Sequence, residues 1–220
     1  MVKRILKETD VTRLHLSSLQ PQEISEDLLS LWQDSRLCRH FHLALQSGSD
    51  AVLKRMQRRY SLADYKKAVS IIRQMVTDVA VTTDIMVGFP GESDEEFEES
   101  YRFCQDTGFA DIHVFSYSSR PGTAAAEMTI QVDERLKKER SLRMLALAKE
   151  SARSFQEQFL GRTVAVLWET EVSRGAGLYS GLSDNYIRVF TQSRQQLSNC
   201  ILPAKLVKPY GEGLWGEIVL

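Results

Sequence analysis

Hydrophobic periodicity changes once along this chain, near Gly161, and that change restricts the fold more than any other feature. Before it, strand-like alternation and helical spacing take turns. Residues 13–19 alternate apolar and polar side chains, as a half-buried strand does. A short helix is expected over 25–33, with Leu28, Leu29, Leu31 and Trp32 facing the core. Residues 40–46 form a second expected strand, and Ser61 opens a helix on which Leu62, Tyr65, Ala68, Val69 and Ile72 share a face. A third strand over 79–89 runs into Gly88-Phe89-Pro90-Gly91-Glu92. Ser93 and Glu96 make a capping box, and Gly108 suits the left-handed stop of that helix. A fourth strand is expected over 111–117. A long amphipathic helix follows over 133–160, its stripe read as Leu136, Leu142, Leu145, Ala148, Ala152, Phe155 and Phe159.

Strands separated by helices pair in parallel through right-handed crossovers. The expected class is α/β, a partial βα, TIM-like barrel of about four strands, and ligand chemistry then gathers at the strand C-terminal ends. After Gly161, five short runs follow at 163–168, 179–182, 186–190, 199–207 and 214–220, with Ser183-Asp184-Asn185 as a hairpin turn. That count and size predict a small all-β barrel resembling the oligonucleotide-binding type. The domains are therefore expected at 1–160 and 161–220.

Composition excludes several classes. Hydrophobic residues make up 43% of the 220, and 28 Lys plus Arg face 29 Asp plus Glu, for a net charge of −1. That is not a disordered composition. No apolar run approaches the ~20 residues of a membrane span. The N-terminal residues are too charged for a signal peptide, so a cytoplasmic location with no membrane partner is expected. The basic excess common in nucleic-acid binders is absent. Cys38, Cys104 and Cys200 lie far apart, with no metal-ligand spacing. His40 and His42 share one strand face, but no third ligand is visible beside them, so no metal site is expected.

Four segments occur in a fixed order: Leu43-Ala44-Leu45-Gln46-Ser47-Gly48-Ser49-Asp50, Met56-Gln57-Arg58-Arg59-Tyr60, Thr83-Asp84-Ile85-Met86-Val87-Gly88-Phe89-Pro90-Gly91-Glu92 and Tyr117-Ser118-Ser119-Arg120-Pro121-Gly122-Thr123. Together they resemble the radical S-adenosylmethionine (SAM) methylthiotransferases, and residues 161–220 resemble that family's TRAM RNA-binding domain. Residues 14–19 and 112–118 look most like the branch that adds a methylthio group to C2 of N6-threonylcarbamoyladenosine beside the tRNA anticodon. The resemblance implies SAM and [4Fe–4S] clusters as cofactors and the tRNA anticodon loop as partner. It also implies three cluster cysteines in an N-terminal domain and a C-x-x-x-C-x-x-C loop, neither of which stands in this sequence. The strands match the third to sixth of the family's six. The chain is thus expected to be a C-terminal portion, inactive alone. Its first strand would then expose a sheet edge, through which it can self-associate.

The resemblance implies a role for each candidate. Gln46 and Ser47 would offer amide and hydroxyl groups to ribose, unless they merely satisfy a turn. Arg58 would pair with the SAM carboxylate, unless it belongs to a solvated basic stretch. Asp84 would line the barrel rather than the surface. Gly88 would let backbone approach a flat adenine, Pro90 would turn the chain and Glu92 would orient the loop. Tyr117 and Arg120 would face cofactor and substrate, or anchor their loop. In the barrel, Tyr179 and Tyr186 would stack bases, and Arg174 and Arg188 would meet phosphates. Two other readings compete: a non-catalytic RNA-binding module whose sheet is scaffold, and a methylthiotransferase of the branch acting on isopentenyladenosine.

Overall fold

Four parallel strands, β1 (Ser18–Leu19), β2 (His40–Leu43), β3 (Ala80–Val87) and β4 (Asp111–Ser116), lie in that order in one sheet. The computed structural model describes residues 1–173 and 175–219. Helix α1 (Val2–Glu8) precedes the sheet, and α2 (Glu26–Leu29) continues into a 3-10 turn, Ser30–Gln33. Then come α3 (Asp50–Arg55), α4 (Leu62–Met75), α5 (Asp94–Thr107), α6 (Ala124–Glu127) and α7 (Glu134–Glu157). Reciprocal caps start the two crossover helices: Ser61 with Asp64 on α4, and Ser93 with Glu96 on α5. Each satisfies two backbone N–H groups that a helix start leaves free. Gly108 ends α5 at φ 61°. The core between sheet and helices holds Phe41, Tyr65, Ile72, Ile85, Phe97 and Phe109.

Two expectations need correction. Residues 13–19 do not form one strand: only Ser18 and Leu19 pair with β2, and Leu14 makes an isolated bridge to Leu37. Tertiary contacts take over the residues upstream of β1. Arg13 donates to the carbonyls of Leu182 and Ala165, and the His15 ring turns to His40. The remaining edge is two residues long, and short edges template pairing poorly. On α7, Leu142 and Leu145 are exposed, whereas Lys137, Arg140, Met144, Leu147 and Ala148 are buried. The expected and observed stripes share Ala148, Phe155 and Phe159 and diverge upstream, because carboxylate-bearing loops there bury two cations.

Strands β5 (Thr163–Glu171), β6 (Leu178–Ser183), β7 (Arg188–Gln192), β8 (Cys200–Tyr210) and β9 (Gly213–Ile218) close into a barrel in the order β5-β6-β7-β9-β8. Closure removes free edges. Trp168, Val166, Val189, Leu206 and Leu214 fill it, and Phe159 from the end of α7 joins them. Among the described residues, no helix is long and apolar enough to cross a membrane.

The hairpin after β6 fixes the barrel against the sheet. Arg39 grips Asp184 through two hydrogen bonds of 2.6 and 3.0 Å. Asn185 donates to the Asp78 carbonyl, and Arg162 pairs with the Asp78 carboxylate. Arg162, then Arg39, hold that carboxylate below its usual range. A depressed carboxylate pKa contributes stability above the unfolded value, near ~3.8, that is lost as pH falls through the folded value. Acidification from about pH 5 to 3 is therefore expected to weaken this contact. Asp78→Asn should remove part of that pH dependence in urea titrations; an unchanged profile would refute the assignment.

Candidate functional site

Asp84 sits on the face of the sheet away from the helices. It accepts from His113 Nδ1 at 3.3 Å and lies 3.2 Å from His42 Nε2. Thr82, two residues earlier on the same face, lies 3.0 Å from both His40 Nε2 and His42 Nδ1. His40 in turn meets His15 at 2.8 Å, and the Tyr186 ring stacks on His40 with centroids 4.3 Å apart. Parallel pairing produces this row, because residues of matching parity on adjacent strands share a face. His40 is buried at the junction of sheet and barrel. Burial and the neighbouring His15 push its pKa down to about 3, so it stays neutral at physiological pH.

The strand ends divide into free and committed groups. Gln46 adopts φ 70°, uncommon for a side-chain-bearing residue. Its backbone bridges to β3, while its half-buried amide makes no hydrogen bond among the described residues. Arg58 and Arg120 are exposed and form no ion pair among the described residues. Ser47 is committed: it is buried, meets the Ser100 hydroxyl at 3.1 Å and accepts from the Ser49 N–H. Its expected role toward a ribose gives way to tying the loop to α5.

The Gly88–Glu92 loop is likewise turned inward. Gly88 has φ 73°, and a Cβ there would lie 2.4 Å from Cγ of Lys137. The lysine stem thus occupies the close approach expected for an adenine. Pro90 is buried. Glu92 accepts from the Gly88 N–H at 3.0 Å and from Arg140 at 2.6 Å. Burial pushes its carboxyl upward, against those two partners. Tyr117 is buried against Phe89, beneath the Lys137 ammonium, and its hydroxyl has no partner among the described residues.

The barrel candidates separate the same way. Tyr179 points into the barrel core and donates to Gln196, so its ring offers no face to a base. Tyr186 is not on a strand; at φ 64° it sits in the hairpin loop, stacks on His40 and tilts against His15. Arg188 pairs with Glu169 at 2.6 Å on the surface. Arg174 lies outside the described residues. Sequence reasoning missed His113 and His15; the signal was a polar residue at every second position of otherwise apolar parallel strands.

Comparison with known proteins bears on this arrangement. Residues 2–104 match the model of the radical SAM superfamily. The chain is 34% identical to the threonylcarbamoyladenosine tRNA methylthiotransferase MtaB of Bacillus subtilis, over 98% of this chain and 50% of that protein. It is 35% identical to the tRNA-2-methylthio-N(6)-dimethylallyladenosine synthase of Acetivibrio thermocellus, over 82% of this chain and 38% of that protein. The chain belongs to the radical SAM superfamily. The fold agrees: the Escherichia coli radical SAM enzyme coproporphyrinogen III oxidase superposes with a TM-score of 0.54 at 13% identity, covering all of this chain and 55% of that one. The chain spans about half the length of the curated relatives it matches.

Radical SAM chemistry requires a [4Fe–4S] cluster held by thiolates. The cysteines here do not fit one. Cys38 and Cys104 are buried, their thiols pushed up to about 11 and about 12 by desolvation, and Cys200 is exposed on β8. Among the described residues, no group of three metal-binding side chains includes a cysteine.

Proposed function

We propose that this chain is the C-terminal portion of a radical SAM methylthiotransferase acting on tRNA, of the branch that modifies N6-threonylcarbamoyladenosine beside the anticodon. The observation that carries the reading is the joined architecture: a parallel sheet with strand-end loops in the family's order, followed directly by a closed five-stranded barrel. Similarity to MtaB over 98% of this chain supports it. Residues 1–160 then supply part of the catalytic barrel, and 161–220 act as a TRAM-type RNA-binding domain.

In this reading SAM meets the open strand ends through Gln46, Arg58 and Asp84, while Ser47, Gly88, Pro90, Glu92 and Tyr117 shape the loops behind them. Bound SAM would supply the methyl group and, with a cluster, the radical. This chain's residues bind and orient, and thiolates from outside them must hold the iron. RNA is met by Arg120, Arg174, Arg188 and the exposed edge of Tyr186. Residues 161–220 carry six basic residues (Arg162, Arg174, Arg188, Arg194, Lys205, Lys208) against five acidic ones (Glu169, Glu171, Asp184, Glu212, Glu217). Affinity should therefore be weak and local.

Anaerobic reconstitution with iron and sulfide is expected to leave the chain without a stoichiometric cluster. Filter binding should detect tRNA at low salt and lose about tenfold between 50 and 200 mM salt, as for two phosphate contacts. Arg188→Glu should lower that affinity further. A full [4Fe–4S] complement would sink the non-catalytic reading of the isolated chain, and salt-independent or absent tRNA binding would sink the RNA role.

A further inference from the structure

All four histidines of the chain, His15, His40, His42 and His113, converge on one face of the sheet although they lie far apart in sequence. Register explains the meeting. Thr82 pairs with His42 on one side and Asp111 on the other, and Asp84 pairs directly with His113. His42 Nε2 lies 3.2 Å from Asp84 Oδ2, and His113 Nδ1 lies 3.3 Å from Asp84 Oδ1. One ligand atom from each of the three residues can be chosen so that all lie within 4.8 Å of one another.

We propose that His42, Asp84 and His113 bind a divalent first-row transition metal, of which zinc is the fitting example, on the open face of the sheet. Two imidazoles and one carboxylate are the donor set that suits such ions. Metal–ligand bonds of about 2.0–2.2 Å put neighbouring ligand atoms about 3.0–3.5 Å apart; the two histidine–aspartate spacings already match, and the set as a whole, within 4.8 Å, needs only side-chain rotation to close. Three protein ligands leave open positions. His113 is half exposed, so water or an anionic oxygen can reach them, which is the pattern of reactive rather than purely structural sites.

The surrounding shell is also in place. A metal-bound imidazole normally gives its other N–H to an oxygen acceptor. His42 has Thr82 Oγ1 at 3.0 Å for that role, and His113 Nε2 faces Asp111 at 3.8 Å. The hydrogen-bond chain can run in two directions. In one, His15 Nε2–H donates to His40, His40 Nε2–H to Thr82, Thr82 O–H to His42 Nδ1, and His42 Nε2–H to Asp84. In the other, His42 Nδ1–H donates to Thr82, Thr82 O–H to His40 Nε2, and His40 Nδ1–H to His15 Nε2. Both directions carry the same number of protons. The second leaves a lone pair on His42 Nε2 facing a carboxylate, a repulsive pair that a cation between them turns attractive. A metal between them therefore selects the second direction. This site contains no thiolate.

The test uses the whole chain with Cys200→Ser, so that the exposed thiol does not compete. Cobalt titration followed by visible absorbance, and equilibrium dialysis with zinc, should each give one equivalent bound. Asp84→Asn and His113→Ala should each weaken binding by more than about tenfold, and Thr82→Val, which removes only the outer partner, by about tenfold. His15→Gln should leave affinity within about twofold, since it adds no ligand. Circular dichroism checks that each variant folds, and half-exposed His113 is the variant least able to disturb folding. Absence of stoichiometric uptake, or uptake undiminished in both Asp84→Asn and His113→Ala, would overturn the proposal.

Discussion

Replacing Arg140 with methionine is expected to destabilise the protein by about 3–5 kcal/mol, the cost of stranding one member of a buried ion pair. The side chains of Arg140 and Glu92 are 3% and 1% exposed. Arg140 donates to the Glu92 carboxylate at 2.6 Å, to the Glu92 carbonyl at 3.1 Å, and to Asp94 at 2.7 Å. It thereby ties α7 to the strand-end loop and to the first turn of α5. Without it, Glu92 must keep an unpaired buried charge or take up a proton, and the loop carbonyl loses its donor. For a chain of this size the loss corresponds to a fall in Tm of about 6–20 °C. Urea unfolding followed by tryptophan fluorescence measures it. The double variant Arg140→Met/Glu92→Gln should recover much of the loss, because glutamine still accepts from the Gly88 N–H and leaves no buried charge. A single variant within about 1 kcal/mol of the parent would show that the pair is not what holds the loop.

Gly88→Ala is the second large effect, about 2–5 kcal/mol, from two separable sources. An alanine at φ 73° takes a left-handed conformation costing about 1–2 kcal/mol. Its Cβ would also lie 2.4 Å from Lys137 Cγ, in the middle of a buried lysine stem that cannot swing aside cheaply. Overpacking of that kind costs about 1–3 kcal/mol. Adding Lys137→Ala should relieve the second source and leave the first, so the two substitutions should couple by about 1–3 kcal/mol in a double-mutant cycle. Strictly additive effects would mean that the lysine stem is not what requires glycine there.

These two positions show how far the sequence could be read. Gly88 and Glu92 were recognisable as special, because a glycine at a strand end and a carboxylate before a helix each mark a loop under local constraint. What they face was not legible. Lys137 and Arg140 follow some 45–50 residues later, on a helix whose apolar spacing pointed to a different stripe. Local pattern registers amphipathicity but does not register that a distant carboxylate makes a buried arginine acceptable. Tyr179 and Tyr186 illustrate the same limit. Both are tyrosines near short strands, yet one fills the barrel and the other caps the histidine row, according to strand register and a left-handed backbone at Tyr186.

The sequence by itself determined the order of the main strands and helices, the parallel sheet, the closed small barrel and the capped starts of α4 and α5. Each follows from periodicity and capping chemistry, which act over a few residues. It also determined that the chain's own cysteines lack cluster spacing. Only the tertiary structure decided which strand-end groups stay free, that α7 buries two cations, and that four scattered histidines gather on one face, two of them against Asp84. Those outcomes depend on register between strands and on pairing across long separations, and neither leaves a signature within a short window of sequence.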